Sequence, residues 1–245
     1  MTLSNSSDTY SFESSGAFVV IDGIDGTGKG TQHEILLSRA SSHGCEVAEF
    51  DFPQYGETSA YFVEQYLNGE FGSEEEVGPY RASTFFALDR FAASSNIQSE
   101  LEAGKLVIAN RYVGSNMAHQ GGKISDSEER AKYFAWLDEY EFTILGIPRP
   151  DRNIVLHIPA AVASKLIEDK EDRDYLNGKS MDIHEASQDH LKRSEEVYFQ
   201  LCELFPDQYT LIECMDGEQV MTKEEINDLI WQVIEPLINN QERSV

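Results

Sequence analysis

Positive charge is the property that this sequence has least of. Its 245 residues include 19 Lys and Arg against 44 Asp and Glu, which gives a formal net charge of −25 at pH 7. A nucleic-acid surface needs a basic stripe that neutralises phosphates, so the composition argues against nucleic acid as a partner. Each Lys or Arg beside a motif therefore carries more weight than usual as a candidate ligand of an anion.

Cysteine and long apolar runs are scarce as well. Cys45, Cys202 and Cys214 are scattered and odd in number, so they predict neither a metal site nor a disulfide framework, and they fit a reduced cytoplasm. No apolar run approaches the ~18 residues of a membrane span. Residues 1–15 are polar and Ser-rich and lack the charged-then-apolar pattern of a signal peptide. We therefore predict a cytoplasmic protein with no membrane partner and a disordered tail over residues 1–15.

Short apolar segments alternate with amphipathic stretches along the rest of the chain. Five segments predict buried strands, at 18–21, 46–50, 106–109, 153–158 and 209–212. The stretches between them have helical spacing of apolar residues, so the pattern predicts right-handed β-α-β units. The predicted fold is one α/β domain over residues 16–240, with a five-stranded parallel sheet, helices on both faces and ligands at the carboxyl ends of the strands. A stretch of alternating charge at about 165–182 is the candidate for a short lid.

The first strand leads into a glycine-rich turn and then into a helix. Gly23 to Lys29 fits the phosphate-binding pattern G-x-x-x-x-G-K. The glycines allow the backbone to turn tightly and to direct N–H groups at an anion, and Lys29 adds a mobile charge for the outer phosphates. This order favours a P-loop three-layer fold over a turn without a ligand. The predicted ATP-binding residues are Gly23, Asp25, Gly26, Thr27, Gly28, Lys29, Gly30 and Thr31.

One position of this loop differs from the commoner P-loop pattern. Gly30 follows Lys29, where the commoner form has a Ser or Thr hydroxyl as a magnesium ligand. The form Gly-Lys-Gly-Thr-Gln is typical of nucleoside monophosphate kinases. We therefore expect magnesium to be held more by water, by the phosphates and by the nearby carboxylates of Asp22 and Asp25.

Five segments, in order, resemble the thymidylate kinase family of P-loop nucleoside monophosphate kinases. Asp22–Lys29 is similar to the family's phosphate loop, and Phe85–Arg90 to its aromatic-x-x-x-Arg helix. Asn110–Gly121 is similar to the family's Asp-Arg-Tyr segment, which ends in Ala-Tyr-Gln-Gly. The other two segments are Phe52–Tyr55 and Gly146–Asp151. The resemblance runs from about residue 18 to the last predicted helix.

The resemblance implies an enzyme that transfers the γ-phosphoryl group of ATP to dTMP, giving dTDP and ADP, with Mg²⁺ as cofactor and a homodimeric assembly. Arg111 offers a planar fork for the acceptor's monophosphate. Phe86 would stack on the base, and Arg90, one helical turn along, would donate to thymine O4. The implied dTMP-binding residues are Phe52, Tyr55, Phe86, Arg90, Arg111, Ser115, Asn116 and His119.

The residues implied in catalysis are mainly cations. Phosphoryl transfer depends on positioning and charge neutralisation, and the resemblance assigns these roles to Lys29, Asp25 and Arg111. Some family members have an Arg directly after the loop aspartate, where this chain has Gly26. Members without it resemble enzymes that supply an Arg from the lid, and Arg173 is the candidate in this chain. Three lysines lie nearby in the sequence, Lys165, Lys170 and Lys179.

Three positions depart from the family pattern and leave alternatives open. Asn110 replaces the Asp that usually precedes Arg, Gln54 replaces a phosphate-binding Arg, and His119 replaces an aromatic residue. A UMP/CMP or AMP kinase and a nucleotide-binding homologue with little turnover therefore remain alternatives. At the level of single residues, Arg90 can instead form a salt bridge with an acidic neighbour, and Phe86 can be plain core.

Overall fold

A parallel sheet of five strands forms the centre of the protein, in a computed structural model that describes residues 16–175 and 188–241. The strands are β1 (Ala17–Gly23), β2 (Val47–Asp51), β3 (Leu106–Asn110), β4 (Arg152–His157) and β5 (Tyr209–Glu213). Their order in the sheet is β2-β3-β1-β4-β5, and every neighbouring pair is parallel. The predicted strands and the α/β class are confirmed, with small shifts at the strand ends.

Helices surround the sheet. They are α1 (Lys29–Ser42), α2 (Tyr61–Leu67), α3 (Glu74–Glu102), α4 (Val113–Gly121), α5 (Ser127–Asp138), α6 (Ala160–Tyr175), α7 (Gln188–Leu204) and α8 (Lys223–Gln241). Helices α1 and α8 contact each other, whereas α3, α4 and α7 form a second group. A short 3-10 turn at Thr58–Ala60, a π-helical segment at Glu139–Ile144 and a hairpin of β6 (Met215–Asp216) and β7 (Gln219–Val220) complete the described part.

The apolar runs of the sequence became strands because both faces of this sheet are covered. All seven residues of β1 are buried, as are the first four of β3 and the middle of β4. Parallel strands that are buried on both faces are apolar at successive positions rather than at alternate ones. The loops that follow β1, β2 and β3 meet at one edge of the sheet, where the polar motifs of the sequence come together.

Helix α4 carries Ser115 and Asn116, two of the residues that the resemblance assigns to dTMP binding. Two glycines lower the helical propensity of this stretch, but packing requires them. A Cβ at Gly114 would lie 2.6 Å from Asp22 Oδ2, and one at Gly121 would lie 2.8 Å from the Phe134 ring. Tertiary contacts therefore override local propensity here.

Helix α3 consists of two helical pieces. It starts at Glu74 behind a capping box formed by Ser73 and Glu76. The chain leaves helical geometry at Gly78, with φ 72° and ψ 163°, and resumes the helix at Pro79. The proline thus opens the second of two helical pieces, because its ring and missing N–H are tolerated at a first turn.

Parts of two predictions lie outside the described residues. These are the disordered tail at 1–15 and the second half of the lid, beyond residue 175. Residues 165–175 of the predicted lid belong to helix α6. Within the described part, no helix is both long enough and apolar enough to span a bilayer.

Candidate active site

A cavity of about 490 Å³ opens at the carboxyl edge of the sheet, beside the glycine-rich turn. Its walls come from the loop after β2, the middle of α3, the end of β3 and helix α4. The eight residues predicted to bind the acceptor all line it: Phe52, Tyr55, Phe86, Arg90, Arg111, Ser115, Asn116 and His119. Four chain segments far apart in sequence therefore converge on one cavity, as the motif order predicted.

The glycine-rich turn joins β1 to α1 as predicted. Gly23, Gly26 and Gly28 have φ of 140°, 86° and 83°, which disfavours any residue with a side chain. A Cβ at Gly26 would lie 2.5 Å from the backbone oxygen of Ala163, so the loop packs directly under α6. Gly28 is the N-cap of α1 and provides no side-chain cap for the first helical N–H groups. Such N–H groups at a helix N-terminus suit a phosphate.

Lys29 is buried in this loop. Its Nζ donates to the carbonyl oxygen of Ile24 at 2.8 Å and lies 3.5 Å from Asp25 Oδ1. Burial and the neighbouring Arg111 lower the pKa of Lys29 to about 8, although Asp25 and Asp22 oppose the change. The ammonium group therefore lies inside the loop, with one backbone carbonyl and one carboxylate oxygen as partners.

Asp25 links the loop to the cavity. Its Oδ1 accepts from the Arg111 guanidinium and is also the Asp25 oxygen that lies 3.5 Å from Lys29 Nζ. Burial by itself would raise the pKa of Asp25, but Arg111 and Lys29 outweigh it and hold that pKa far below its usual value. One carboxylate therefore sits between the two cations that were predicted to neutralise phosphates.

Arg111 also contacts the cavity side. Its Nη1 donates to Ser115 Oγ at 3.3 Å and to His119 Nε2 at 3.1 Å. Because His119 accepts at Nε2, its neutral ring carries the proton on Nδ1 and donates to His190 Nε2 at 3.0 Å. Burial and then Arg111 lower the pKa of His119 well below its usual value. His190, on α7, is a cavity residue that the sequence did not indicate.

Asp22 lies behind the cavity rather than in it. It is fully buried, and its Oδ1 accepts from Ser115 Oγ at 2.7 Å and from Tyr198 OH at 3.2 Å. Its Oδ2 has no hydrogen-bond partner among the described residues, and burial raises its pKa. The carboxylates that do line the cavity are those of Asp25, Asp51 and Asp89.

The far end of the cavity carries the polar groups expected to face a base. Arg90 lines the cavity, as predicted for a residue that contacts the base. Its guanidinium also forms a salt bridge with Glu141, so the alternative that Arg90 pairs with an acidic neighbour is confirmed as well. Asn116 Oδ1 and Gln120 Oε1 are buried and have no hydrogen-bond partner in the described part of the chain. Sequence reasoning overlooked Gln120 and Glu141, because a single Gln or Glu in an acidic chain gives no pattern.

Two of the departures from the family pattern have local explanations. Gln54 is bound to Asp89: its backbone N–H donates to Asp89 Oδ2 at 2.9 Å, and its Nε2 donates to Asp89 Oδ1 at 3.2 Å. Asn110 Nδ2 donates at 2.9 Å to Oδ1 of Asp51, a carboxylate on the neighbouring strand. An anion is thus present beside position 110 although the residue itself is neutral.

The predicted lid cations are described only in part. Lys165 is exposed on α6. Arg173 and Lys170 belong to α6, but their side chains lie outside the described part of the structure, and Lys179 lies outside the described residues altogether. The role predicted for Arg173 therefore stays a prediction.

Protein ligands for a metal are few. Among the described residues, no group of three or more His, Cys, Asp or Glu side chains could hold a metal ion. Magnesium in nucleotide sites usually takes one or two carboxylates and completes its shell with water and phosphate oxygens. The hard oxygen donors of Asp25 and Asp51 at the cavity fit that smaller requirement.

Fold and site together define the class of the protein, a P-loop nucleotide phosphotransferase. The Thymidylate kinase family model matches residues 21–225. The thymidylate kinase of Mycobacterium tuberculosis is 33% identical over 184 residues, which cover 75% of this chain and 84% of that protein. A probable thymidylate kinase of Thermococcus gammatolerans is 32% identical over 78% of this chain and 86% of its own length. The chain belongs to the thymidylate kinase family.

A solved structure agrees with the fold. The thymidylate kinase from Candida albicans matches with a TM-score of 0.68 and 19% identity, over 92% of this chain and 93% of that one. At this identity the likeness concerns the fold, which is a five-stranded parallel sheet with helices around it.

Proposed function

We propose that the protein transfers the γ-phosphoryl group of ATP to dTMP and releases ADP and dTDP. The observation that supports this most is the position of Arg111, which contacts Asp25 of the phosphate loop and also lines the cavity. A donor bound on the loop and an acceptor phosphate at Arg111 would then be neighbours. Phosphoryl transfer needs this kind of positioning and charge neutralisation rather than a covalent intermediate.

Lys29 and Arg111 are the cations of the proposed reaction. Both are paired with Asp25 in this structure. When nucleotides bind, Lys29 would turn from the Ile24 carbonyl to the β- and γ-phosphates, and Arg111 would hold the acceptor's phosphate as a bidentate fork. Asp25 would keep the Arg111 guanidinium and the Lys29 ammonium group oriented. Magnesium bound with ATP would be held by Asp25 and Asp51, in part through water, and would neutralise charge on the phosphates.

The base end of the cavity favours thymine through its pattern of donors and acceptors. Arg90 offers N–H donors, and Asn116 Oδ1 and Gln120 Oε1 are acceptors without a partner among the described residues. Thymine presents a carbonyl acceptor at position 4 and an N–H donor at position 3. Cytosine presents the reverse, an amino donor and a ring-nitrogen acceptor, so it would leave buried groups unpaired at a cost of ~1–3 kcal/mol each. Phe86 lines the same end as the stacking surface.

The assembly, the location and the lid belong to the proposal as well. Leu88 and Phe91, 39% and 46% exposed, are three residues apart on α3 and form an apolar surface on one face of the helix. We propose that this face joins two copies of the chain in a homodimer. The enzyme acts in the cytoplasm on ATP and dTMP, and Arg173 of the lid stabilises the transferring group.

Release of ADP in a coupled assay tests the proposed reaction. Purified protein supplied with MgATP and dTMP should release ADP, and omission of either nucleotide should reduce the rate to background. Absence of dTMP-dependent ADP release from the folded protein would refute the proposed function.

A further inference from the structure

Glu141 is a buried carboxylate for which the proposed reaction has no use. Its side chain is 0% exposed and does not line the cavity. It lies on the π-helical segment Glu139–Ile144 that follows α5. π-helical turns are rare and occur frequently at functional sites, and a carboxylate is seldom fully buried unless it is paired. The contacts of Glu141 therefore indicate what this segment does.

Both oxygens of Glu141 hold one guanidinium. Arg90 Nε donates to Oε2 and Arg90 Nη2 donates to Oε1, each at 2.6 Å. Two parallel bonds of this kind fix the plane of the guanidinium as well as its position. The Nη1 group is held less tightly, with the Tyr112 carbonyl oxygen at 3.5 Å. Glu141 thus leaves Nη1 as the end of Arg90 that a ligand in the cavity can engage.

Glu141 also stands beside the amide of Asn116. Asn116 Nδ2 donates to the carbonyl oxygen of Ser83 at 3.1 Å and lies 3.5 Å from Glu141 Oε1. Two acceptors on the NH₂ side determine which way the amide faces, and they leave Oδ1 as the free acceptor among the described residues. Asn116 is 4% exposed and lines the cavity, so its Oδ1 is a buried acceptor with which an N–H group of a ligand can pair.

We propose that Glu141 is a specificity-determining positioning residue of the acceptor site. By holding Arg90 and facing the NH₂ group of Asn116, it sets a donor next to an acceptor at the base end of the cavity. This order matches a pyrimidine with a carbonyl at position 4 and N–H at position 3 and disfavours one with an amino group at position 4. The inference rests on the proposed function, because it concerns the same cavity, and it assigns Glu141 no contact with the substrate.

A simpler role for Glu141 is to neutralise a buried Arg90. The two roles predict different effects on substrate selectivity when the carboxylate of residue 141 is moved. Glu141→Asp keeps the charge but withdraws the carboxylate by one methylene, so the bidentate geometry is lost while the ion pair remains. A purely neutralising role predicts unchanged selectivity for this variant. A positioning role predicts reduced selectivity, because Arg90 is free to rotate.

The experiment compares dTMP with dCMP in steady-state assays. For Glu141→Asp we expect the dTMP to dCMP ratio of kcat/KM to fall about tenfold, through a higher KM for dTMP with kcat nearly unchanged. In an Arg90→Met background the same substitution should alter the ratio by less than about twofold, because Glu141 acts mainly through Arg90. Glu195→Asp, which shortens a carboxylate that pairs with His157 at 2.8 Å outside the cavity, is the matched control and should keep the wild-type ratio.

Binding measurements separate the two proposals. Titration calorimetry of dTMP and dCMP in the absence of ATP gives the selectivity ratio without turnover, and thermal unfolding shows whether each variant is folded. A wild-type protein that binds dTMP selectively but releases no ADP would refute the proposed function. The inference about Glu141 would still be decided by the dTMP to dCMP ratio of binding affinities. A folded Glu141→Asp that retains the wild-type ratio would overturn the inference. If Glu141→Asp does not fold, Glu141→Gln, which keeps the length of the side chain, should lower the ratio about as much, and a retained ratio would overturn the inference equally.

Discussion

Arg111 joins the two halves of the candidate site. Its guanidinium contacts Asp25 of the phosphate loop, Ser115 of α4 and His119 one turn further along. Its backbone has φ of 64°, a left-handed conformation that no other non-glycine residue adopts in the described part of the chain. Such a conformation costs ~1–3 kcal/mol and persists only where the surroundings fix it. The guanidinium is therefore fixed between the phosphate loop and helix α4.

Removal of the ammonium group of Lys29 tests the phosphate loop. Lys29→Ala should lower kcat/KM by about two to three orders of magnitude, because a buried charge aimed at the transferring group is lost. Thermal unfolding should show an intact fold, since the substitution removes a buried charge. Lys132→Ala, at an exposed lysine on α5, is the control and should leave kcat/KM unchanged. Normal turnover by Lys29→Ala would show that the loop is not the ATP site.

The low pKa of Lys29 predicts a pH effect on nucleotide binding. Below its pKa of about 8 the free protein already carries the ammonium that phosphates require. Above that pH the lysine is neutral, so binding must take up a proton, and ATP affinity should fall by up to about tenfold per pH unit. Calorimetry between pH 7 and pH 9.5 in buffers of different ionisation enthalpy measures both quantities. Lys29→Ala should abolish the dependence, and a constant wild-type affinity over this range would contradict the account.

At the scale of elements, the phosphate loop and helix α6 form one packed unit. The loop can approach α6 only because residue 26 has no side chain. This contact also explains why the chain lacks an Arg after the loop aspartate: the positive φ of Gly26 and the Ala163 carbonyl leave no room for one. We therefore predict that a further cation for the transferring group comes from α6, which packs on the loop and carries Arg173.

A pair of glycine substitutions measures this packing. Gly26→Ala should lower the free energy of unfolding by ~1–3 kcal/mol, because it combines a left-handed φ with a clash against α6. Gly30→Ala is the matched control for stability. A Cβ there meets nothing within 4 Å and Gly30 lies in α1, so the change should be neutral or stabilising by up to ~1 kcal/mol. Chemical denaturation measures the free energy of unfolding of both variants and of the wild-type protein. Equal values for Gly26→Ala and Gly30→Ala would show that the loop does not pack on α6.

The elements differ in how well the sequence predicts them. Strands β1, β3 and β4 follow from apolar runs such as 18–21, because a strand that is covered on both faces is apolar at successive positions. The sequence analysis did not predict helix α4 or the π-helical segment. Residues of α4 pack against Asp22 and Phe134, and Glu141 of the π-helical segment pairs with Arg90, so these contacts rather than helical propensity account for the residues found there. All eight residues predicted to bind dTMP line the cavity, and their binding role stays a prediction. Glu141 and His190 were not predicted, because their neighbours are close in space and distant in the sequence.

At the scale of the whole molecule, an acidic protein gathers cations where anions should bind. The net charge is −25, yet Arg90, Arg111 and Lys123 all line the cavity and Lys29 lies in the loop beside it. Three carboxylates also line the cavity, those of Asp25, Asp51 and Asp89, so its charges balance although the chain as a whole is strongly negative. This local balance, with Lys29 beside it, suits the binding of small anions such as nucleotides.

The proposed homodimer makes a prediction at the same scale. Phe91→Asp places a charge in the exposed apolar face of α3, so it should convert a dimer into a folded monomer. Leu204→Asp, at a residue that is 52% exposed on α7, is the control and should leave the assembly unchanged. Sedimentation velocity of the three proteins measures the result. A wild-type monomer, or a Phe91→Asp dimer, would contradict the proposed interface.

The central claim is that this cavity selects dTMP as the phosphoryl acceptor. The most direct test measures kcat/KM for ADP release with MgATP and each of dTMP, dUMP, dCMP, CMP and AMP. The account predicts that dTMP exceeds dCMP by at least about tenfold, because donors would face donors with cytosine. It also predicts that dUMP is a poorer but real substrate, since the 5-methyl group adds only ~1 kcal/mol of apolar burial. A higher kcat/KM for AMP, CMP or dCMP than for dTMP would contradict the claim.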